Sequence, residues 1–294
     1  MRSLLFVPGD SAKKQEKAAQ CGADVLILDL EDSVAAANKQ AAREQTRTFL
    51  HHADRASGPK LFVRMNALDT EFWLHDLTTV MPAMPDGLMI PKTLSGDCVR
   101  RVALELDRLE REVGVEQGAT KLVCVATETA ASLFTLGTYA GSSARLAGLS
   151  WGAEDLAADL GVYDNRDETG RYTDAFRLAR TLTLLGAVKA EALPIDTIYK
   201  EFRDAEGLRA EAEAAKRDGF RAKMAIHPHQ VATINEVFTP SADEIERARR
   251  IVDAFTGAGD VGVVGLDGVM LDRPHLRQAE RILAQAKEAG LLAS

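Results

Sequence analysis

Residues 24–33 read DVLILDLEDS, and this stretch decides the fold. Its four apolar residues, Val25–Leu28, run without interruption into Asp29, and two more acids follow at Glu31 and Asp32. A short continuous apolar run of this kind is typical of a strand that is buried on both faces of a parallel sheet. The acids that follow it therefore lie at the carboxyl end of a predicted strand, where barrel enzymes build their sites.

Six further apolar runs have the same form and lead into a polar residue. They are Leu61–Val63 before Arg64, Leu88–Ile90 before Lys92, Leu122–Ala126 before Glu128, Leu146–Leu149 before Asp155, Leu193–Ile195 before Asp196, and Lys223–Ile226 ending at His227. Helical segments separate these runs, and Ser3–Val7 adds a strand at the start. We therefore predict an α/β fold, a (β/α)8 TIM barrel that gathers the polar strand ends around one mouth.

Eight strand–helix alternations are complete before Pro240, so the remaining residues are not needed to close the barrel. We expect residues 1–239 to form the catalytic barrel domain. Residues 240–294 are predicted to form a C-terminal helical and hairpin extension. It would pack on the barrel or on a neighbouring subunit.

Charge and composition exclude several classes of protein. The 294 residues carry 36 basic and 44 acidic side chains, a net charge of −8, which argues against a nucleic-acid or membrane-surface partner. No apolar run approaches the roughly 18 residues of a membrane span, and the first residues lack the apolar core of a signal peptide. The three cysteines have no metal-binding spacing. We expect a cytoplasmic protein.

Two carboxylates fall at the ends of adjacent predicted strands, Glu128 after the fifth and Asp155 after the sixth. Two carboxylates with open coordination positions suit Mg²⁺, which keeps water or substrate oxygens as its other ligands. Zinc is disfavoured, since no cysteine or histidine pair accompanies them. The alternative is that Glu128 caps a helix and Asp155 pairs with a surface arginine.

Two basic residues at strand ends are further candidates. Arg64 ends the third strand, and its guanidinium can grip a carboxylate or enolate oxygen with two hydrogen bonds. It could instead form an ion pair with the acids at 29–32, and both roles are compatible. Lys92 could form a Schiff base at the end of the fourth strand, a role we rank second to metal chemistry.

Other basic residues are candidates for binding the substrate. Lys13 and Lys14 lie on the first predicted helix, where they could clamp the phosphates of a nucleotide-bearing substrate. A charged helix face is more often simply solvated. His227, in the sequence His227-Pro228-His229, ends the eighth strand and is a further substrate-binding candidate.

Several motifs together resemble the citrate lyase beta-subunit-like proteins, part of the HpcH/HpaI aldolase group of the phosphoenolpyruvate/pyruvate superfamily. The motifs that carry the resemblance are RSLLFVPG at 2–9, DVLILDLEDSV at 24–34, FVRMNA at 62–67, IPK at 90–92, TETA at 127–130, LSWGAEDLAADLG at 149–161, KMAIHPHQV at 223–231 and GVMLDRPH at 268–275. The combination is specific, although no single motif is, and it extends over almost the whole chain.

The resemblance implies a Mg²⁺-dependent carbon–carbon lyase that cleaves or forms a 3-hydroxy-acyl thioester of the citryl, malyl or citramalyl type, on coenzyme A or an acyl carrier protein. By motif, Glu128 and Asp155 match the metal ligands, and Arg64 matches the arginine that holds the acid. Asp272 matches an acid donated by a neighbouring subunit of a trimer or hexamer. Glu31 is a catalytic candidate that would support it.

Three alternatives share these motifs. A thioesterase could direct water at the thioester of a malyl-CoA-type substrate. A pyruvate aldolase could use Mg²⁺ on free acids, without coenzyme A. A complex-dependent citrate lyase beta subunit would need an acyl-carrier partner for activity.

Overall fold

The structure of the protein, a computed structural model, contains a closed barrel of eight parallel strands. The strands are β1 Ser3–Pro8, β2 Val25–Asp29, β3 Lys60–Arg64, β4 Gly87–Ile90, β5 Lys121–Val125, β6 Leu146–Ser150, β7 Leu193–Asp196 and β8 Ala222–Ala225. Each strand pairs with the next along the chain, and β1 also pairs with β8. The predicted TIM barrel is thereby confirmed.

Helices connect the strands of the barrel. They are α1 Ala12–Ala18, α2 Lys39–His52, α3 Trp73–Val80, α4 Gly96–Val113, α5 Ala130–Leu133, α6 Ala153–Leu160, α7 Asp174–Lys189, α8 Ala205–Asp218 and α9 Pro228–Phe238, with 3-10 turns at Ala36–Asn38, Met81–Ala83 and Leu136–Thr138. The sequence patterns did not predict α6 or α9. Both begin within a few residues of a strand, and α9 starts on Pro228, whose fixed φ suits the first turn of a helix.

The barrel interior is filled by alternate residues of the strands, because side chains point to opposite faces of a strand. The inward side chains pack into one apolar cluster: Leu4, Val25, Ile27, Phe62, Met89, Val123, Val125, Ile195, Ala222 and Met224. Gly87 makes room for the Phe62 ring, since a Cβ there would lie 2.4 Å from it. Asp29 and Arg64 each come two residues after a cluster member, so they continue the inward rows at the carboxyl end.

The structure describes residues 1–259 and 261–292, and internal contacts divide the chain into two compact units, Met1–Asn235 and Glu236–Ser294. The described helices include none that is long and apolar enough to cross a membrane.

The second unit is built from two helices and a hairpin, as the sequence suggested. Its elements are α10 Ala242–Ala258, β9 Val263–Leu266, β10 Val269–Asp272 and α11 Arg273–Glu288. Asp267 and Gly268 turn the hairpin with φ of 51° and 76°, the left-handed pair that a tight two-residue hairpin turn requires. The core of the unit includes Phe255, Val264 and Leu271, while Met270 on the hairpin is exposed.

Candidate active site

Register places an acid and an arginine side by side at the carboxyl ends of β2 and β3, where Asp29 pairs with Arg64. Arg64 donates from Nε and Nη2 to the two oxygens of Asp29, both at 2.7 Å, in a two-point ion pair. Its guanidinium also lies over the Phe6 ring, 4.8 Å from the centroid. Burial raises the pKa of Asp29, but the hydrogen bonds and charge of Arg64 outweigh it and hold that pKa below its ordinary value.

Lys92 is surrounded by acids at the end of β4. Its ammonium lies 2.6 Å from Glu31, 3.3 Å from Asp32 and 3.4 Å from Asp155. Burial lowers the pKa of Lys92, but the contact with Glu31 and the charges around it raise that pKa well above the ordinary value. A Schiff base needs a neutral amine, so this geometry argues against the Schiff-base alternative.

The backbone of Lys92 is unusual as well. Its φ is 50°, a left-handed conformation that is uncommon for a residue other than glycine. In that conformation its N–H donates to the carboxylate of Glu128, while its ammonium reaches the acids that follow β2. Such strain is found where the surrounding structure fixes a functional residue.

The loop after β2 that carries Glu31 and Asp32 is held in place by Lys39, at the start of α2. The ammonium of Lys39 is buried and donates to the carbonyl oxygens of Leu30 and Glu31, both at 2.7 Å. Glu31 is then held between Arg64, at 2.8 Å, and Lys92. Sequence reasoning missed Lys39, because a lysine at a helix start carries no sign that it will be buried.

Glu128 is the most perturbed carboxyl of the site. It follows β5, is 4 % exposed, and accepts the N–H of Lys92. Burial, and then the negative charge of Asp155, raise the pKa of Glu128 to about 8. Gly152 packs against it so closely that a Cβ there would lie 2.6 Å from the Glu128 Cγ. A cation beside Glu128 would favour its charged form.

Asp155 is presented by the first turn of α6, directly after β6. Its loop is anchored by Trp151, whose Nε1 donates to Asp196 over 2.8 Å. Asp196 is in turn paired with Lys223 at 2.8 Å and Arg180 at 3.1 Å, all behind the strand ends. This buried network fixes the loop that carries Asp155.

A cavity of about 350 Å³ lies at this end of the barrel. Its lining residues are Phe6, Pro8, Asp29, Asp32, Ser33, Arg64, Val125, Glu128, Gly152, Ala153, Glu154, Asp155, Thr197, Ile198, Met224 and Ile226. Three of the candidates from the sequence, Arg64, Glu128 and Asp155, line the same cavity. Glu31 is not a lining residue, but it forms ion pairs with Arg64, which lines the cavity, and with Lys92.

The remaining substrate-binding candidates, Lys13, Lys14 and His227, do not line this cavity. Lys13 and Lys14 are exposed on α1, after β1. His227 follows β8, the barrel neighbour of β1, and stacks on Phe202 with ring centroids 4.8 Å apart. Burial, and then the positive charges of His229, Lys17 and Arg203, lower the pKa of His227. Lys17 and Arg203 are distant from each other in the sequence, so spacing along the chain could not predict the basic region that they form near His227.

Asp272 lies in the second unit, at the N-cap of α11. Its Oδ1 is 2.6 Å from Nδ1 of His275, and the Asp272 side chain is half exposed. The Asp272 side chain also accepts the backbone N–H of His275 in a capping box, and half of its surface remains exposed.

Glu128 and Asp155 line the cavity and offer a metal two carboxylate ligands, not a complete set of protein ligands. Across residues 1–259 and 261–292 no group of three or more His, Cys, Asp or Glu side chains is arranged to bind a metal. Glu128 and Asp155 would leave most of the coordination sphere of a hard cation to water and substrate.

Comparison with known proteins adds independent information. Residues 2–228 match the family model described as HpcH/HpaI aldolase/citrate lyase. Citrate lyase subunit beta of Escherichia coli K12 is 34% identical over 292 residues, covering 99% of this chain and 94% of that protein. The (3S)-malyl-CoA thioesterase of Cereibacter sphaeroides strain KD131 is 35% identical over 288 residues, covering 97% and 94%.

A solved structure is similar over nearly the full length. It is the protein CitE from Mycobacterium tuberculosis in complex with magnesium, acetoacetate and coenzyme A. The sequence identity is 32%, the TM-score is 0.76, and the match covers 97% of this chain and 98% of that one.

Proposed function

This chain belongs to the HpcH/HpaI aldolase/citrate lyase family, and from that premise we propose that it is a Mg²⁺-dependent carbon–carbon lyase. The resemblance noted in the sequence motifs is confirmed by this membership. The substrate is a 3-hydroxy-acyl thioester, which the enzyme cleaves or forms by retro-Claisen chemistry. The observation that carries the proposal is the placement of Glu128 and Asp155 around one cavity with Arg64.

The donor set fits Mg²⁺. Glu128 is buried, and the charge of Asp155 contributes to raising its pKa to about 8, so a cation shared by the two carboxylates would relieve their repulsion. Both donors are hard oxygens, which Mg²⁺ prefers. Glu128 and Asp155 would therefore hold the metal, and the magnesium bound to the related CitE structure supports this assignment.

When bound, Mg²⁺ supplies a Lewis acid that polarises the carbonyl formed during cleavage. Arg64 binds the carboxylate of the same fragment. Its Nε and Nη2 donate to Asp29, and its Nη1 lies 2.8 Å from a Glu31 oxygen, which fixes the plane of the guanidinium. Because a guanidinium has five N–H groups, others remain for a substrate oxygen. Glu31 supports the reaction by holding Arg64 and Lys92 in position.

Cleavage also needs a group that returns a proton to the thioester fragment. A base takes the hydroxyl proton, the electron pair of the carbon–carbon bond passes to the α-carbon of the thioester as the carbonyl forms, and that carbon then takes a proton from an acid. Asp272 is the acid that we assign to this step, acting from a neighbouring subunit of a homotrimer or homohexamer. Its half-exposed carboxylate beside His275 supports the assignment.

The thioester carrier is expected to lie across the loops that follow β1 and β8. Lys13 and Lys14 would contact its phosphates, and His227 would contact it from the neighbouring loop after β8. The cations near His227, Lys17 and Arg203, favour a phosphate-bearing carrier such as coenzyme A. The related CitE structure is in complex with coenzyme A, which supports coenzyme A as the carrier.

One further function has a specific observation in its favour. The (3S)-malyl-CoA thioesterase relative is as similar to this chain as the citrate lyase subunit is, so the same site could hydrolyse the thioester instead. The two reactions release different products. A lyase yields an oxo acid and a shorter thioester, whereas a thioesterase yields free coenzyme A and a hydroxy acid.

A panel assay tests the proposal. Malyl-, citramalyl- and citryl-CoA are each incubated with the protein, with Mg²⁺ or with a chelator, and oxo acid and free coenzyme A are measured separately. We expect oxo acid without free coenzyme A, only when Mg²⁺ is present. Release of free coenzyme A without oxo acid would show that the protein is a thioesterase and not a lyase. Activity on unesterified acids would indicate a free-acid aldolase.

A complex-dependent subunit is distinguished by adding a partner. Such a protein would be inactive on every coenzyme A thioester in the panel and would gain activity only with an acyl-carrier partner. Activity of the isolated chain excludes that alternative.

A further inference from the structure

Lys92 contacts both of the carboxylates that we assign to the metal. Its backbone N–H donates to Glu128, and its ammonium lies 3.4 Å from an oxygen of Asp155. The same ammonium lies 2.6 Å from Glu31 and 3.3 Å from Asp32. One residue thus contacts acids that follow three different strands, β2, β5 and β6.

The acids around Lys92 are crowded, and repulsion between their charges opposes their assembly. Glu128 and Glu31 are both buried, where an uncompensated negative charge is costly. The guanidinium of Arg64 pairs with Asp29 and Glu31, so it compensates acids that follow β2. The ammonium of Lys92 extends positive charge from this group to the carboxylate that follows β6.

The backbone of Lys92 shows that the fold imposes this placement. Its φ of 50° is a left-handed conformation that costs free energy for a residue other than glycine. The surrounding contacts compensate this strain, because the N–H reaches Glu128 while the ammonium reaches Glu31. A strained backbone held in this way is typical of a residue whose position matters for function.

Resting on the proposed lyase function, we propose that Lys92 is a positioning residue that serves as an internal counter-cation of the metal site. In the metal-free protein its ammonium offsets the repulsion between the acids. Because the ammonium has the same sign of charge as Mg²⁺, it also lowers the affinity of Glu128 and Asp155 for the metal. The site therefore stays assembled without metal and binds Mg²⁺ less tightly than it would without this ammonium.

Coulomb repulsion decides the direction of the effect. A divalent and a univalent cation a few ångströms apart repel each other, even at the dielectric constant of water, enough to change an affinity by about tenfold. Lys92→Met removes the ammonium and keeps an unbranched stem and the backbone N–H. Loss of the charge should strengthen Mg²⁺ binding, whereas loss of a merely structural lysine would weaken binding or leave it unchanged.

Calorimetric titration of Mg²⁺ into the metal-free protein measures this affinity without turnover. We expect Lys92→Met to bind Mg²⁺ about tenfold or more tighter than the wild type. Lys92→Arg keeps the charge and should bind Mg²⁺ with near wild-type affinity. Lys200→Met is the matched control, because Lys200 pairs at 3.3 Å with Glu154, the neighbour of Asp155 in the sequence, and is half exposed. Water and salt screen its charge, so its loss should leave the Mg²⁺ affinity near the wild-type value.

Urea denaturation in the presence of a chelator supplies a second readout. Lys92→Met should lower the free energy of unfolding of the metal-free protein, because the acids lose their counter-cation. Saturating Mg²⁺ should then stabilise the variant more than it stabilises the wild type. If Lys92→Met does not fold, Lys92→Gly replaces it in the titration. Glycine adopts the left-handed backbone freely, keeps the N–H that Glu128 accepts and lacks the ammonium, so it should show the same tighter binding.

Failure of the inference and failure of the lyase assignment give different results. Unchanged or weaker Mg²⁺ affinity in a folded variant that lacks the ammonium would overturn the inference and leave the lyase in place. If loss of the ammonium tightens Mg²⁺ binding but no thioester of the panel is cleaved, the inference stands and the lyase assignment is wrong.

Discussion

Burial of Glu128 beside Asp155 has a measurable consequence for stability. The pKa of Glu128 rises from an ordinary 4.5 to about 8 in the folded protein. The folded state therefore binds a proton more tightly than the unfolded state does, and between these pH values it holds more protons. Stability from this group is fully present below about pH 4.5 and is lost as the pH rises through about 8.

The size of the effect follows from the same values. At 1.36 kcal/mol per pH unit, a pKa that moves from 4.5 to about 8 corresponds to about 5 kcal/mol as an upper limit. We therefore expect the free energy of unfolding of the metal-free protein to fall by a few kcal/mol between about pH 5 and pH 8.5. Saturating Mg²⁺ should restore stability at pH 8.5, because a ligand that binds only the folded state stabilises it.

Urea denaturation in the presence of a chelator, at several pH values, measures this directly. Glu128→Gln keeps the shape of the side chain and removes its charge, so it should flatten the pH dependence and exceed the wild type in stability at pH 8.5. Glu154→Gln, in the same cavity but paired with Lys200 and Asn165, is the matched control and should keep the wild-type slope. If the wild type shows no such slope, or Glu128→Gln retains it, the reasoning is wrong.

Three further predictions concern the proposed chemistry. Arg64→Lys keeps the charge but loses the forked geometry, so kcat/KM should fall about a hundredfold or more, and wild-type kinetics would make Arg64 purely structural. Gly152→Ala places a Cβ 2.6 Å from the Glu128 Cγ, so calorimetry should show Mg²⁺ affinity weakened about tenfold or more, and unchanged affinity would contradict this contact. Inactive Asp272→Ala and Glu128→Ala subunits, refolded together, should regain activity; mixed oligomers that stay inactive would exclude an acid supplied in trans.

Much of the site could be predicted because strand ends are visible in the sequence. Each buried strand is a short apolar run, and the first polar residue after it must lie at the barrel mouth. This reasoning placed Arg64, Glu128 and Asp155 at the barrel mouth, and the structure brings the three to one cavity. Asp155 lies in the first turn of α6 and not directly at the end of β6. The apolar run Val25–Leu28, quoted first above, lies within β2 as the structure has it, Val25–Asp29.

What the sequence did not predict depends on contacts between distant residues. Lys92 has a left-handed backbone, and it and its three acidic neighbours come from three separate segments, after β2, β4 and β6. No local sequence pattern predicts either feature. The raised pKa of Glu128 depends on burial, which composition does not measure. The cavity-lining residue Ile198 was not predicted, because in the sequence it looks like an ordinary core residue.

The central claim is that Glu128 and Asp155 hold the magnesium of a lyase, and a Mg²⁺ titration tests it most directly. Wild type and Asp155→Ala are titrated by calorimetry, with circular dichroism to verify that both are folded. We expect the wild type to bind Mg²⁺ saturably and Asp155→Ala to show no measurable binding while its fold is intact. Near-native Mg²⁺ affinity in folded Asp155→Ala would contradict the account.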